Sequence, residues 1–284
     1  MKILAEGLAF PEGPVVLPDG SIALVELRAG TVRRIWGDGK SEVIATPGGG
    51  PNGAQLGPDG ALYIANNGGI DWQRGLSAPD AGSIERINLA TGEVDRLYDH
   101  IEGRPLRAPN DLVFDSSGGI WFTDMGKSID GAIETSAVCY ARPDGSHIVA
   151  AYRGGISYNG IGLSPDERFV YVAETQSARL WRFAIERPGV LGTPEWVATA
   201  PGDTRFDSLA VAASGNICVG TLKTGGITTI GAEGGTAFTP IDDLYVTNIA
   251  FGGADMRTAY ITLAASGRLI SMDWPEPGLP LHFG

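Results

Sequence analysis

The chain has 284 residues, 43% of them hydrophobic, with 42 glycines, 18 prolines and a net charge of −12. That is enough apolar sequence for a large single core. The acidic balance, with no run of Lys or Arg, argues against nucleic acid and anionic membrane as partners, since both need a basic footprint.

In chain order, the opening Met1-Lys-Ile-Leu-Ala-Glu6 turns to charge too early for a signal peptide. No apolar run is long enough for a membrane span, so the cytoplasm is the expected location. Lys2 to Ala5 reads as a lone strand. A repeat unit then begins at Glu12: an acid or amide, a short apolar run, an Asp-Gly turn at Asp19-Gly20, and a second strand over Ser21 to Glu26. Thr31 to Trp36 and Glu42 to Ala45 complete four strands of alternating polarity.

The same register restarts at Asn52, Asn110, Asn159, Asp207 and Asn248, and in all six units the residue seven places on is Asp or Ser. A unit of 40 to 58 residues with about four strands is the signature of a β-propeller. The expected fold is all-β, a six-bladed β-propeller formed by residues 1–284 as one domain. The last unit runs into Pro275, Pro277 and Pro280 without a fourth strand, and Lys2 to Ala5 is positioned to supply it and close the ring. Cys139 and Cys218 lie in strand-like runs and read as free buried thiols.

Strand direction puts all six opening residues on one face with the longest insertions, 66–82, 98–109 and 124–136. Trp72 on the first of these is positioned to cover a site there. Glu12, Asn52, Asn110, Asn159, Asp207 and Asn248 then face one another as a ring of oxygens. Oxygen donors select a hard cation: one divalent ion, calcium first, with zinc, manganese and magnesium as alternatives. Two carboxylates, Glu12 and Asp207, match its charge. The plainer alternative is that Asn and Asp open the units as turn formers, which Glu12 is not; for Asn248 alone that alternative is preferred. A second set at the ends of second strands, Glu26, Asn66, Asp124 and Glu174, could bind sugar hydroxyls or be solvated strand ends.

Glu12-Gly-Pro14, Pro109-Asn-Asp111, Tyr158-Asn-Gly-Ile-Gly-Leu-Ser-Pro-Asp166 and Phe251-Gly-Gly-Ala-Asp255 with Ala259-Tyr-Ile-Thr262 resemble the regucalcin (senescence marker protein), gluconolactonase and luciferin-regenerating enzyme family. The resemblance implies a propeller with a metal in its central channel and a sugar lactone as small-molecule substrate. By position it implies Glu12, Asn159 and Asp207 as metal ligands, and Asn110 as an amide beside the metal that reaches substrate. It also implies Asp207 as general base and Arg107, one place out of register, as a substrate contact. Asn52-Gly53 matches the family's bacterial branch, and Asn52 with Trp72 completes the expected substrate set. The implied activity is metal-dependent opening of a lactone, with hydrolysis of other esters and metal-stabilised ligand binding without turnover as the competing readings.

Other motifs fail on context. Gly48-Gly-Gly-Pro-Asn-Gly53 satisfies a dinucleotide pattern but precedes a strand and carries proline where a helix must open. His100, His147 and His282 all fall outside the ring.

Overall fold

Each repeat unit folds into one antiparallel sheet. A computed structural model of the chain describes residues 1–37, 39–70, 81–129, 132–231 and 234–284. Among these, six main sheets surround a central axis, and in the first five the strands follow one another outward in chain order. Blade 1 is Pro11–Val16, Ile22–Glu26, Thr31–Gly37 and Lys40–Ala45. The inner strands of the next five are Pro51–Leu56, Pro109–Phe114, Tyr158–Leu163, Arg205–Val211 and Val246–Gly252. Each inner strand touches the next, and the sixth touches the first, so the ring is closed.

Period-two alternation makes the blades stack. The apolar face of each sheet meets the next in its own buried cluster. Val15, Val25, Leu56 and Ile64 join blades 1 and 2, whereas Val113, Trp121, Ile161 and Phe183 join blades 3 and 4. Both cysteines are free and buried in such faces. The turn eight places after each opening residue needs a left-handed backbone. Gly20, Gly60, Gly118 and Gly215 supply it at φ between 74° and 89°, and Glu167 and Met256 are held there at 51° and 57° without glycine's freedom.

The last blade closes as the sequence suggests. Lys2–Ala5 pairs antiparallel with Arg268–Asp273, with Lys2 opposite Ser271 and Ile3 opposite Ile270. Leu4 and Ala5 pack against the cluster of Leu8, Ile22, Leu24, Ile35 and Leu269 between the last blade and the first. Deleting residues 1–6 uncovers that strand edge and is expected to lower Tm by about 5–10 °C. An unchanged melting curve would show that the strand contributes nothing to closure.

Past Asp273 the chain crosses the far end of the channel. Ala213 donates its N–H to Pro277 O (2.9 Å), Gly278 to Met256 O (2.8 Å) and Leu279 to Val211 O (2.9 Å). The Phe283 ring stands edge-on to Phe114 with centroids 5.7 Å apart, and His282 meets Glu167. A cavity of about 490 Å³ lies between this tail and the inner strands. No helix among the described residues is long and apolar enough to cross a membrane.

Candidate active site

The inner strands begin earlier than apolar pattern alone suggests. The first runs from Pro11, ahead of its apolar run, and its pairing is interrupted by a bulge between Glu12 and Val15. Every inner strand has the equivalent irregularity beside its opening residue. A bulge twists the strand and re-aims a side chain, and six in register turn six polar groups to the axis. Gly13 allows one of them. Its φ is +48°, and a Cβ there would lie 2.7 Å from Asn52 O, while its own N–H donates to Glu12 Oε2 at 3.1 Å.

All six opening residues are buried. Glu12, Asn52, Asn159 and Asp207 line a cavity of about 240 Å³ at the loop face of the channel, with Phe10, Leu27, Met125, Leu222 and Tyr245 among its apolar walls. Asn110 sits in the ring but outside that lining, and its Oδ1 has no hydrogen-bond partner. Asn248 has a different part. Its Nδ2 donates to Glu12 Oε2 (3.2 Å) and its Oδ1 accepts the Ile249 N–H (2.8 Å), so it orients Glu12 rather than offering an oxygen to the channel. The Asn159 side chain is hydrogen-bonded to the Asp207 carboxylate, and the Asn159 backbone carbonyl accepts the Thr123 hydroxyl at 2.6 Å.

A third buried carboxylate, Asp111, lines the far-end cavity rather than this one, near enough for its charge to act on Glu12 and Asp207. Burial pushes the Asp207 carboxyl up to about 8, with the charge of Asp111 adding to it. Burial likewise raises Asp111 to about 7. Glu12 lies well above the usual carboxylate range, through burial first and then the charges of Asp207 and Asp111. Buried acids in this position take up protons or a cation.

Two further observations fit a cation. Asn52 Oδ1 and Asn110 Oδ1 are buried acceptors without a partner, a costly state that a cation or a substrate donor relieves. All available donors are oxygen, which suits calcium or another hard ion. Among the described residues no three His, Cys, Asp or Glu side chains converge as a metal cluster, so an ion here would rely on amide oxygens.

Two residues of the cavity wall, Phe10 and Ser157, hold φ of +62° and +60° without being glycine. Each lies two places before an opening residue, and such strain is retained where it positions a site. Arg205 occupies the same place before Asp207 and also lines the cavity.

Other expected contacts lie elsewhere. Arg107 is not in the cavity wall; its guanidinium is paired through two bonds with Glu134, at 2.9 and 2.8 Å. Trp72 lies outside the described residues. None of the three histidines lines the cavity. Glu26, Asn66, Asp124 and Glu174 are neither solvated ends nor sugar contacts. Each is buried and accepts a backbone N–H from the segment leading into its own inner strand: Ala9 (3.0 Å), Gly50 (2.9 Å), Ala108 (2.6 Å) and Ile156 (2.9 Å). They hold the loop face in place, and that long-range pairing has no local sequence signal.

Known proteins share this fold. Residues 10–265 match the SMP-30/Gluconolactonase/LRE-like region. The chain is 25% identical over 214 residues to a gluconolactonase of Zymomonas mobilis, a match covering 67% of this chain and 56% of that protein. It is 29% identical over 226 residues to lactonase drp35 of Staphylococcus haemolyticus, covering 77% and 65%. The chain thus spans less than two thirds of either relative's own length. Its backbone superposes on a calcium-binding protein, regucalcin of Agrobacterium tumefaciens, with a TM-score of 0.78 at 19% identity, covering 99% of this chain and 97% of that one. The family match runs from the first inner strand to the end of the last blade's second strand, so the chain belongs to the SMP-30/gluconolactonase/LRE-like family.

Proposed function

We propose that this protein hydrolyses sugar lactones with the help of one divalent cation, calcium foremost. The observation that carries the reading is the meeting of buried carboxylates with unpaired amide oxygens where six inner strands converge. Glu12, Asn159 and Asp207 would hold the ion, with the Asn110 oxygen beside it. The gluconolactonase and lactonase names of the two sequence relatives, and the calcium-binding character of the regucalcin neighbour, point the same way.

When bound, the cation supplies Lewis-acid polarisation of the lactone carbonyl and charge to offset the developing oxyanion. The rest falls to the chain. Asp207 acts as general base, drawing a proton from the attacking water at its carboxylate; burial strengthens it as a base, and a nearby cation keeps it ionised. Asn159, bonded to that carboxylate, fixes its direction. Asn248 does the same for Glu12. The amides of Asn52 and Asn110 take the substrate hydroxyls. Phe10, Leu27, Met125, Leu222 and Tyr245 floor the sugar ring and exclude stray water.

The test is ring opening of a panel of aldonolactones, followed by proton release, in calcium and in chelator. Hydrolysis of at least one lactone that is lost in chelator and restored by calcium is expected. Calcium binding without turnover of any lactone or simple ester would reduce the protein to a ligand-binding propeller.

A further inference from the structure

We infer that the cavity carries a subsite for a carboxylate remote from the lactone carbonyl, with Arg205 as its recognition group. The substrates would then be lactones of sugar diacids rather than of neutral aldonic acids. This rests on the lactone reading above and narrows its substrate class.

The repeat register supplies the first observation. The residues two places before the six opening positions are Phe10, Gly50, Ala108, Ser157, Arg205 and Val246, and Arg205 is the one charged side chain in that set. Arg205 and Asp207 both line the cavity from the same strand, their Cα atoms about 7 Å apart. That is roughly the reach across one sugar ring.

Charge supplies the second. The protein has 33 acids to 21 bases, and several of its strand arginines have carboxylates close by: Arg33 has Glu26 at 2.8 Å, Arg34 has Asp19 at 2.6 Å and Arg86 has Asp59 at 2.6 Å. Arg205 has a weaker arrangement. Its Nη1 donates to Thr204 O at 2.8 Å and reaches Asp203 only at 3.4 Å. Asp203 is itself held by Lys223 Nζ, at 2.8 and 2.9 Å from its two oxygens. One acid between two bases leaves a net positive charge at the rim. Among the described residues, Nε and Nη2 of Arg205 have no hydrogen-bond partner. Two N–H donors on one edge of a planar fork match the two oxygens of a carboxylate.

The third observation is the floor between. Arg205 pairs with Leu222, Leu222 bridges to Tyr245, and the Tyr245 ring lies 6.5 Å from that of Phe10. All line the cavity. A sugar ring laid on this apolar strip has the guanidinium at one end and the start of the Glu12 strand at the other. A neutral sugar gives that guanidinium nothing to pair with, while a terminal carboxylate does. The positive rim also offsets the repulsion that buried acids exert on an anionic substrate.

The test compares molecules that differ only in having a terminal carboxylate. In calcium-containing buffer, D-glucarate and D-gluconate are titrated calorimetrically into the wild type, Arg205→Gln and Arg205→Lys. In parallel, kcat and KM are measured on D-glucaro-γ-lactone and D-glucono-γ-lactone. The wild type is expected to bind glucarate about tenfold or more tightly than gluconate. Arg205→Gln should erase that preference and Arg205→Lys should keep part of it. In kinetics, Arg205→Gln should cost the diacid lactone about tenfold more in kcat/KM than the neutral one, through KM. Equal affinities in the wild type, or a preference that survives in Arg205→Gln, would overturn the subsite. An Arg205-dependent preference for glucarate without turnover of either lactone would support the subsite and refute hydrolysis. Turnover of both lactones with no Arg205-dependent preference would do the reverse.

Discussion

Asp207→Asn is expected to lower kcat/KM on sugar lactones by a factor of about 10² to 10⁴, the usual worth of a positioned base, while the protein stays folded. The amide keeps the size of the carboxylate and removes only its ability to take a proton. Folding should survive, because the substitution relieves one of three mutually repelling buried acids. Calorimetric titration of calcium into the variant separates two causes of inactivity. An inactive variant that still binds calcium assigns Asp207 to proton transfer, and one that binds none assigns it first to holding the ion. Wild-type turnover by the variant would remove Asp207 from the mechanism altogether.

The second large effect is on stability. Calcium-free protein should melt at lower temperature as pH rises from about 4 to about 8. Asp111 and Asp207 are raised in the fold to about 7 and about 8 from an ordinary 3.8, through burial first. The direction follows from linkage. A carboxyl whose folded pKa is raised contributes stability that is fully present below its unfolded value and is lost as pH climbs through the folded one. Calcium at a hundred times its Kd adds about 2.7 kcal/mol, or about 5–10 °C in Tm. The increment should be largest near pH 8, where these acids otherwise carry charge without a partner. Melting curves in chelator that do not move with pH, or that calcium does not shift at pH 8, would contradict the placement of an ion among these groups.

The fold was legible because its unit recurs. Asp19, Asp59, Ser117, Asp166, Ser214 and Asp255 share one place in six copies, and a register that strict leaves few architectures. The closing strand could be read from a missing fourth strand in the last unit. Ring membership was legible for the same reason, since equivalent positions on equivalent strands must face one axis. What escaped depended on geometry between units. On a regular strand Asn110 and Asp111 point to opposite faces; the bulge lets both reach the axis, so Asp111 had no signal as a third acid. Glu26, Asn66, Asp124 and Glu174 look like solvated strand ends, and only the folded chain reveals their backbone partners 15 or more residues upstream. Arg107 had the right neighbourhood in sequence, but Glu134 claims its guanidinium. Arg205 became visible once the two-place offset of Phe10 and Ser157 was seen to form a rim.

The pairing of Lys2–Ala5 with Arg268–Asp273 also sets an order of assembly. Blades 1 to 5 are each made of neighbouring sequence and can form as the chain leaves the ribosome. The final sheet cannot, because its outer strand precedes blade 1 and that strand's partner follows blade 5. Until the stretch around residue 270 emerges, the first strand and one face of blade 1 stay uncovered, and the cavity has an open side. Completion of the cavity and burial of the last edge therefore belong to a single late event, whose rate should carry the slowness of so long-range a contact.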